Sequence, residues 1–315
     1  MKAVAVHDFG TEPRLLDLDV PEPGDGELLV RLHAAGVNPF DWKVADGALK
    51  DAVPHGFPLV LGSDGAGVVE KIGPGVTRFR VGDRVYGQFM RLPEGQGSYS
   101  EYTLAHQDAK IATMPDALAF TLAAALPTAS VTAYQAVEAA RLEDGKTLLI
   151  NGASGGVGQS AIQFAARTGA RVLATGTPDV AEHLQDLGAH TVIDFTTAPT
   201  HEQVAEAHPD GIDAVLDLVT PTGGDISPLT NLIRPGGVAI STNYATDPDA
   251  LATRDVTGVN LGNDPTPERL ATLADLAASG ALRVHIDNEI KLAEAPATIA
   301  AARTGHSRGK TVILL

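Results

Sequence analysis

The sequence of 315 residues contains no cysteine. This absence excludes disulfide bonds, catalysis by a thiolate, iron–sulfur clusters and every zinc site built on cysteine. Long apolar runs are absent too, since no stretch approaches the roughly 18 uninterrupted apolar residues of a membrane-spanning helix. Because domains usually hold ~100 to 200 residues, the chain is long enough for two domains with substantial cores.

Basic charge is scarce. The chain has 39 acidic and 23 basic residues, a formal net charge of −16, and no concentrated basic stretch. Nucleic acids and anionic membrane surfaces are therefore poor candidates as partners. The first ten residues, MKAVAVHDFG, lack the long apolar core of a secretory signal. We expect them to form the first β-strand of a cytoplasmic protein.

The residue pattern changes along the chain. Residues 1 to about 120 hold short β segments between turn clusters of Gly, Pro and Asp, which indicates a β-rich domain. Residues 118–142 have the spacing of a helix, and strands then alternate with helices to about residue 258. This alternation predicts an α/β fold, a parallel sheet with helices on both faces. The tail predicts a helix, a strand, a short helix and a last strand.

A glycine cluster follows the first strand of the alternating region. The segment TLLINGASGGVGQS, residues 147–160, has the spacing G-x-x-G-x-x-G between a predicted strand and a predicted helix. Such glycines allow a tight turn, close approach of the backbone to a pyrophosphate, and close packing of helix on strand. No Gly-Lys-Ser/Thr follows, which excludes a Walker phosphate loop. A turn without ligand is the alternative to a dinucleotide site at Gly152, Ser154, Gly155, Gly156, Val157 and Gly158.

The end of the second strand bears on which dinucleotide binds. An acidic residue about 20 positions after the glycines normally holds the ribose hydroxyls of NAD. Here the strand ends at Thr175 and Gly176, with no acid before Asp179. These small residues leave space for the 2′-phosphate of NADPH, and the missing carboxylate removes a charge that would repel it. Arg308 and Lys310 are candidates for the cation that this phosphate needs, although both could equally be solvated charges.

Later strand ends extend the predicted cofactor site. Ligands bind beyond the carboxyl ends of parallel strands. We therefore expect the cofactor to face Leu218 and Val219 after one strand and Ser241 after the next.

Motifs spread over the chain carry a family resemblance. They are AAGVNPFDWKVADG (34–47), GSDGAGVVEKIGPGVTRFRVGDRVYG (62–87), GSYSEYT (97–103), AALPTASVTAY (124–134), LLINGASGGVGQSAIQFA (148–165) and GHSRGKTVIL (305–314). In these residues the sequence resembles the medium-chain dehydrogenase/reductase superfamily, specifically its zinc-independent quinone oxidoreductase and enone reductase branch.

The resemblance implies a layout and a reaction. A GroES-like β-rich catalytic domain would be built from residues 1–120 and 259–315, with a Rossmann-type doubly wound dinucleotide-binding domain, 121–258, between them. The implied reaction is hydride transfer from NADPH to a quinone or an α,β-unsaturated carbonyl. The implied assembly is a homodimer.

The resemblance also bears on metal. The zinc-bearing branch would place a cysteine near Asn38 and Gly-His-Glu where this chain has Gly62-Ser63-Asp64. His33 and His55 remain, but without the spacing of metal ligands. We therefore expect no metal site.

Catalytic candidates follow from the same motifs. Asn38 matches the family's asparagine beside the nicotinamide, where its amide could donate to a carbonyl oxygen; the alternative is a turn cap before Pro39. Lys43 resembles a lysine of enone reductases that stabilises an enolate or binds ribose, and a salt bridge to Asp41 or Asp64 is equally open. Asp41 belongs to the same motif and is the third catalytic candidate.

Three further residues are predicted to contact substrate or cofactor. Trp42 and Tyr99 are candidates to line the substrate pocket, with core packing as the alternative for both. Thr132 matches a nicotinamide contact of the family, or it packs within a helix. Many quinone reductases carry a tyrosine a few residues after the position of Lys43, but this chain does not, so the proton donor stays open.

Together these features predict an NADPH-dependent oxidoreductase acting on quinones or enones. Two alternatives remain: a non-catalytic or redox-sensing NADPH-binding protein, and a tailoring enzyme that reduces one narrow enoyl substrate.

Overall fold

A computed structural model of the chain describes residues 1–303 and 308–315. These residues form two compact units. Unit 1 comprises Met1–Val131 and Pro265–Leu315, and unit 2 comprises Thr132–Asp264. Residues 305–307 of the closing GHSRGKTVIL motif lie outside the described residues. The division of labour between a catalytic and a nucleotide-binding domain stays a prediction.

The first segment of the chain is rich in strands, as its short β segments predict. Its elements are β1 Lys2–Val6, β2 Arg14–Asp17, β3 Glu27–Gly36, α1 Pro39–Ala45, β4 Leu59–Val60, β5 Asp64–Ile72, β6 Arg84–Gln88, β7 Tyr102–His106, β8 Ile111–Thr113, α2 Phe120–Ala124 and α3 Ala129–Ala140.

The middle segment alternates strand and helix. Its elements are β9 Thr147–Asn151, α4 Gly156–Ala166, β10 Arg171–Gly176, α5 Pro178–Asp186, β11 Thr191–Asp194, α6 Thr200–Ala207, β12 Ile212–Asp217, α7 Ser227–Thr230, β13 Ile233–Ser241, α8 Pro248–Ala252 and β14 Thr257–Asn260. The tail adds α9 Pro267–Ala278, β15 Ile286–Lys291, α10 Ala295–Ala302 and β16 Lys310–Leu314.

The sheet of unit 2 confirms the predicted α/β fold class. Its strands are parallel and lie in the order β11-β10-β9-β12-β13-β14. Counted from the first strand of the alternation, this is the order 3-2-1-4-5-6 of dinucleotide-binding sheets. Leu148, Leu149 and Ile150 of β9 are fully buried, as expected for a central strand covered on both faces.

The sheets of unit 1 join the two ends of the chain. A small sheet has the order β2-β1-β4, and a larger one the order β15-β16-β3-β5-β6-β8, with β7 also paired to β3. β16 runs antiparallel to β3, with Val312 opposite Gly36. The C-terminal strand therefore lies beside the segment that leads into α1.

One predicted helix is broken. The spacing over residues 118–142 predicts a single helix, but α2 ends at Ala124 and α3 begins at Ala129. Pro127 lies between them, and proline both lacks the N–H of a helical hydrogen bond and disfavours helix in the residue before it.

Within the described ranges, the helices do not combine the length and apolar character needed to cross a membrane.

Candidate functional site

The glycine turn of unit 2 has the local geometry that its spacing predicts. Gly152 has φ +90°, a conformation that favours glycine, and a Cβ there would lie 2.8 Å from Cγ2 of Val219. A Cβ on Gly158 would lie 2.5 Å from Cα of Ala153, so α4 can approach the turn only without a side chain at that position. At Gly155, the N-cap of α4, the nearest atom to an added Cβ is 3.7 Å away.

Polar side chains hold this turn in place. The N–H of Gly152 donates to Oγ1 of Thr175 at 2.9 Å. The carbonyl of Ser154 accepts from Nε2 of Gln159 at 2.7 Å, and Oε1 of Gln159 lies 3.0 Å from Nε2 of His183. Thr175 is only 3% exposed, so its hydroxyl oxygen accepts this hydrogen bond in the interior of unit 2.

Further predicted cofactor residues lie at carboxyl ends of parallel strands. Leu218 is half-buried and Val219 is 57% exposed just after β12. Ser241 ends β13, where its buried hydroxyl oxygen accepts from the N–H groups of Asn243 and Ala245 at 3.2 and 3.1 Å. Thr132, in contrast, lies in α3. It is buried, and its hydroxyl accepts from Nδ2 of Asn263 at 3.0 Å.

Sequence reasoning missed a hydrogen bond between two neighbouring strand ends. Nδ2 of Asn151, the last residue of β9, donates to Oδ1 of Asp217, the last residue of β12, at 2.7 Å. The oxygens of this carboxylate also accept from the N–H groups of Val219 and Thr220 at 3.1 to 3.4 Å. The rule that placed Leu218 at the strand ends identifies Asn151 too, because the order of strands reverses between β9 and β12.

A second group of functional candidates lies inside unit 1, around the carboxamide of Asn38. Asn38 is the N-cap residue of α1 and is 2% exposed. Its Nδ2 donates to Oδ2 of Asp64 at 2.9 Å, and its Oδ1 accepts from Nζ of Lys310 at 2.5 Å. Asn38 therefore occupies a cap position before Pro39, as the alternative prediction had it. Its carboxamide hydrogen-bonds to Asp64 and Lys310.

Asp41 is fully buried in α1 and accepts three hydrogen bonds. Oδ2 accepts from the backbone N–H of Asn38 at 2.8 Å and from the hydroxyl of Tyr99 at 2.7 Å, while Oδ1 accepts from the N–H of Ser63 at 2.9 Å. Burial raises the pKa of Asp41 from 3.8 to about 6; the Tyr99 hydrogen bond lowers this pKa, and the nearby Asp64 raises it.

Asp64 opens β5 and links Asn38 to Thr128. Its Oδ2 accepts from the N–H of Thr128 at 2.9 Å, and its Oδ1 from the Thr128 hydroxyl at 2.7 Å. Burial raises the pKa of Asp64 and lowers that of Lys310, whereas the attraction between these two groups acts in the opposite direction on both pKa values.

The remaining predicted residues lie in different environments. Because residues 39–45 are helical, Asp41 and Lys43 do not share a face: Asp41 is buried and Lys43 is exposed. Trp42 packs against the same core cluster that contains the fully buried ring of Tyr99. Arg308 is exposed, whereas Lys310 is 5% exposed and so is not a solvated charge.

The two histidines considered as metal ligands each pack on a phenylalanine. His33 stacks on Phe120 with ring centroids 4.5 Å apart, and His55 meets Phe9 edge-on at 4.9 Å. In the part of the chain that the structure describes, no group of three or more His, Asp or Glu side chains is placed to hold a metal ion.

Known proteins match this chain over nearly its full length. Residues 24–116 match the family described as Alcohol dehydrogenase GroES-like domain, and residues 187–313 match Zinc-binding dehydrogenase. A chloroplastic quinone oxidoreductase of Triphysaria versicolor is 31% identical over 332 aligned residues, covering 99% of this chain and 98% of that protein. The chain belongs to the medium-chain dehydrogenase/reductase superfamily.

Two further relatives agree with the quinone oxidoreductase and enone reductase branch of this superfamily. The 2-methylene-furan-3-one reductase of Solanum lycopersicum is 36% identical over 255 residues, covering 75% of this chain and 64% of that protein. The structure of the quinone oxidoreductase from Coxiella burnetii matches with a TM-score of 0.86 at 30% identity, covering 100% of this chain and 99% of the other. The predicted family resemblance is thereby confirmed.

Membership of the medium-chain superfamily makes the chain an oxidoreductase with a nicotinamide cofactor. The residues of unit 2 fit such a cofactor, because Gly155 has no side chain and the nearest atom to an added Cβ there is 3.7 Å away, which leaves its backbone open to a ligand. The first N–H groups of a helix lack partners within the helix, and α4 begins at Gly156. These groups are suited to bind a pyrophosphate.

The raised pKa of Asp41 predicts a specific dependence of stability on pH. A folded-state pKa above the unfolded value of 3.8 means that the stabilising contribution is complete below pH 3.8 and is lost as the pH rises through about 6. Asp41→Asn removes this titration. We therefore expect the destabilisation caused by Asp41→Asn to shrink by about 1 kcal/mol between pH 5 and pH 7.5.

Urea unfolding of the wild-type protein and of Asp41→Asn at several pH values measures how the destabilisation changes with pH. Titrations of groups that do not interact with Asp41 are common to both proteins and cancel, and the comparison is read as the combined effect of Asp41 and its neighbours Asp64, Tyr99 and Lys310. A destabilisation that stays constant, or grows with pH, would show that Asp41 does not hold its proton more tightly in the folded protein.

Proposed function

We propose that this protein is an NADPH-dependent reductase that transfers hydride to a quinone or to the β-carbon of an α,β-unsaturated carbonyl, without a metal ion. The observation that carries the proposal is the glycine turn at the carboxyl edge of a six-stranded parallel sheet of unit 2. The relatives named as quinone oxidoreductase and 2-methylene-furan-3-one reductase support these acceptor classes.

The pyrophosphate is proposed to bind at residues 152–158, where the nearest atom to a Cβ added at Gly155 is 3.7 Å away. The strand-end residues Leu218, Val219 and Ser241 are proposed to contact the nicotinamide half, together with Thr132. When bound, the cofactor supplies the hydride; the chain's own residues bind and orient it.

NADPH is the proposed reductant because β10 ends in small residues. Thr175 turns its hydroxyl to the glycine turn, and Gly176 follows without a side chain. The N-terminus of α5, next in the chain, favours negative charge through the helix dipole. The rival is NADH, and the observation that favours it is Asp179, an exposed carboxylate in the first turn of α5 that accepts from the Thr177 hydroxyl at 2.5 Å.

The proposal that no metal ion takes part rests on the side chains that unit 1 offers as possible ligands. Where the zinc-bearing branch places ligands, this chain has Asn38, Ser63 and Asp64. The carboxamide of Asn38 bonds an ammonium at 2.5 Å and a carboxylate at 2.9 Å. An ammonium at that oxygen opposes a second cation there, and neutral amide and hydroxyl groups are weak ligands for zinc.

Roles around the acceptor are proposed as follows. Nδ2 of Asn38 has one short bond, to Asp64, and a long 3.4 Å contact with the Gly36 carbonyl. The hydrogen of the long contact is the one proposed to stabilise negative charge on a carbonyl oxygen. Asp41, which accepts hydrogen bonds from three donors, is proposed to fix the start of α1. The exposed Lys43 is the proposed cation that stabilises an enolate.

A homodimer is proposed to form along β14. This strand is one of the two outer strands of the unit 2 sheet and is half-buried to exposed along its length, so a second copy could extend the sheet. Light scattering after size-exclusion chromatography is expected to give twice the chain mass of 32.6 kDa. A single chain mass at micromolar concentration would contradict this proposal.

The first test of the proposed function is acceptor-dependent oxidation of NADPH, with NADH in parallel, against quinones and α,β-enones in buffer containing a chelator. We expect turnover that the chelator does not reduce, with kcat/KM at least about tenfold higher for NADPH than for NADH, or about 1.4 kcal/mol. Preference for NADH would favour the role of Asp179 in binding ribose, and loss of activity with chelator would contradict metal independence.

Binding of NADPH without consumption of any acceptor in the panel would contradict the broad quinone and enone assignment. It would favour the two alternatives, a non-catalytic or redox-sensing NADPH-binding protein and a reductase with one narrow enoyl substrate.

The turn is tested by Gly155→Ala. The added Cβ has 3.7 Å of clearance in the fold, so the free energy of unfolding should change by no more than about 1 kcal/mol, the usual effect at an N-cap. The same Cβ would stand between the backbone and a pyrophosphate, so we expect the Kd for NADPH to rise at least about tenfold. Titration of NADPH by calorimetry measures it.

Gly158→Ala is the matched control, because its Cβ would lie 2.5 Å from Ala153 Cα and should weaken both the fold and binding. Unchanged NADPH affinity in Gly155→Ala would mean that the pyrophosphate binds elsewhere.

A further inference from the structure

In unit 1 the carboxamide of Asn38 lies between a buried ammonium and a buried carboxylate. Nζ of Lys310 donates to Asn38 Oδ1 at 2.5 Å, and Asn38 Nδ2 donates to Asp64 Oδ2 at 2.9 Å. All three side chains are at most 5% exposed. Hydrogen bonds with one charged partner are roughly twice as strong as neutral ones, and burial weakens their screening by water.

The two charges allow only one orientation of the carboxamide. If Asn38 were rotated by 180° about its last side-chain bond, its NH₂ group would face the ammonium and its oxygen would face the carboxylate. Two attractive contacts would become repulsive ones in a buried site. The ammonium and the carboxylate therefore fix the direction in which the N–H bonds of Asn38 point.

Strand pairing brings Lys310 to this position. Val312 lies opposite Gly36 in the antiparallel pair of β16 and β3, so Lys310, two residues earlier, comes opposite Asn38, two residues later. The N–H of Val37 donates to the Thr311 carbonyl at 2.9 Å, and Nζ of Lys310 donates to the Val37 carbonyl at 2.8 Å. Lys310 thus holds both the backbone before α1 and the side chain of its N-cap residue.

We propose that Lys310 is a positioning residue that acts through Asn38, fixing the carboxamide so that its remaining N–H is directed for the reduction. This rests on the proposed function for the step that uses Asn38, but the fixed orientation itself does not. Lys310 touches Asn38 and Val37 and acts on the reaction only through them. Asp64 has the matching role at the other end of the carboxamide.

Lys310→Met tests this proposal, because methionine is similar in length but has no charge and no donor. Lys291→Met is the matched control, an exposed lysine at the end of β15, the strand beside β16. For each protein we would measure hydrogen exchange of the Asn38 side-chain amide by NMR with asparagine-selective ¹⁵N labelling. The Kd for NADPH, kcat and the unfolding midpoint would be measured alongside.

We expect Lys310→Met to exchange the Asn38 amide protons at least about tenfold faster and to lose about 10- to 100-fold in kcat, the effect of a misplaced group. The Kd for NADPH should stay within about threefold, since the glycine turn belongs to unit 2. Lys291→Met should match the wild type in every measurement. Unchanged amide exchange together with unchanged kcat would overturn the proposal.

A charge exchange covers the case in which Lys310→Met does not fold. Asn38→Asp alone places two carboxylates together and should destabilise the protein. Asn38→Asp combined with Asp64→Asn keeps the net charge and gives Lys310 a charged acceptor, but only one of the two Thr128 donors keeps an acceptor, so it should restore stability in part. If the positioned carboxamide matters, kcat stays low in this folded double variant, whereas wild-type kcat would overturn the proposal.

The proposed function can fail separately. If none of the quinones or enones supports oxidation of NADPH by the wild-type protein, the reductase assignment fails. Amide exchange in Lys310→Met still decides whether Lys310 fixes Asn38. Faster exchange supports the positioning role, and unchanged exchange overturns it.

Discussion

The interior of unit 1 depends on how three buried charges are accommodated. Asp41, Asp64 and Lys310 are all at most 5% exposed, and an unpaired charge in such a place is strongly unfavourable. Each is surrounded by donors or acceptors at 2.5 to 2.9 Å, drawn from α1, β5, β16 and the segments before β7 and α3. Two carboxylates for one ammonium leave an excess of negative charge, which is one reason why the pKa of Asp41 is raised.

In unit 2 the constraint is steric. Glycine is needed at Gly152 because of its positive φ and at Gly158 because α4 lies against Ala153, whereas Gly155 is not needed by the fold. A glycine that the fold does not require, at the N-cap of a helix after a central parallel strand, agrees with the proposed pyrophosphate site, because such a ligand needs the backbone exposed. This distinction separates a dinucleotide turn from a tight turn more sharply than the spacing of the glycines does.

The sequence predicted the features that depend on neighbours along the chain. Alternating strand and helix periods and the position of the glycine cluster were readable because they are local. The break at Pro127 was also local, but the apolar spacing on both sides concealed it. The Asn38 network was not readable, because Lys310 is 272 residues from Asn38 and reaches it only through the pairing of β16 with β3. Thr175 was placed correctly at a strand end, but the inward direction of its hydroxyl depends on the N–H of Gly152.

The fate of deuterium carried at C4 of the nicotinamide shows whether hydride passes directly from NADPH to the acceptor. The wild-type protein would reduce an α,β-enone in the presence of a chelator with NADPH deuterated at either of its two C4 positions, and the product would be analysed by mass spectrometry and NMR. Direct hydride transfer predicts one deuterium at the β-carbon of the product from one stereoisomer of NADPH and none from the other. Product without deuterium from either stereoisomer would contradict direct hydride transfer.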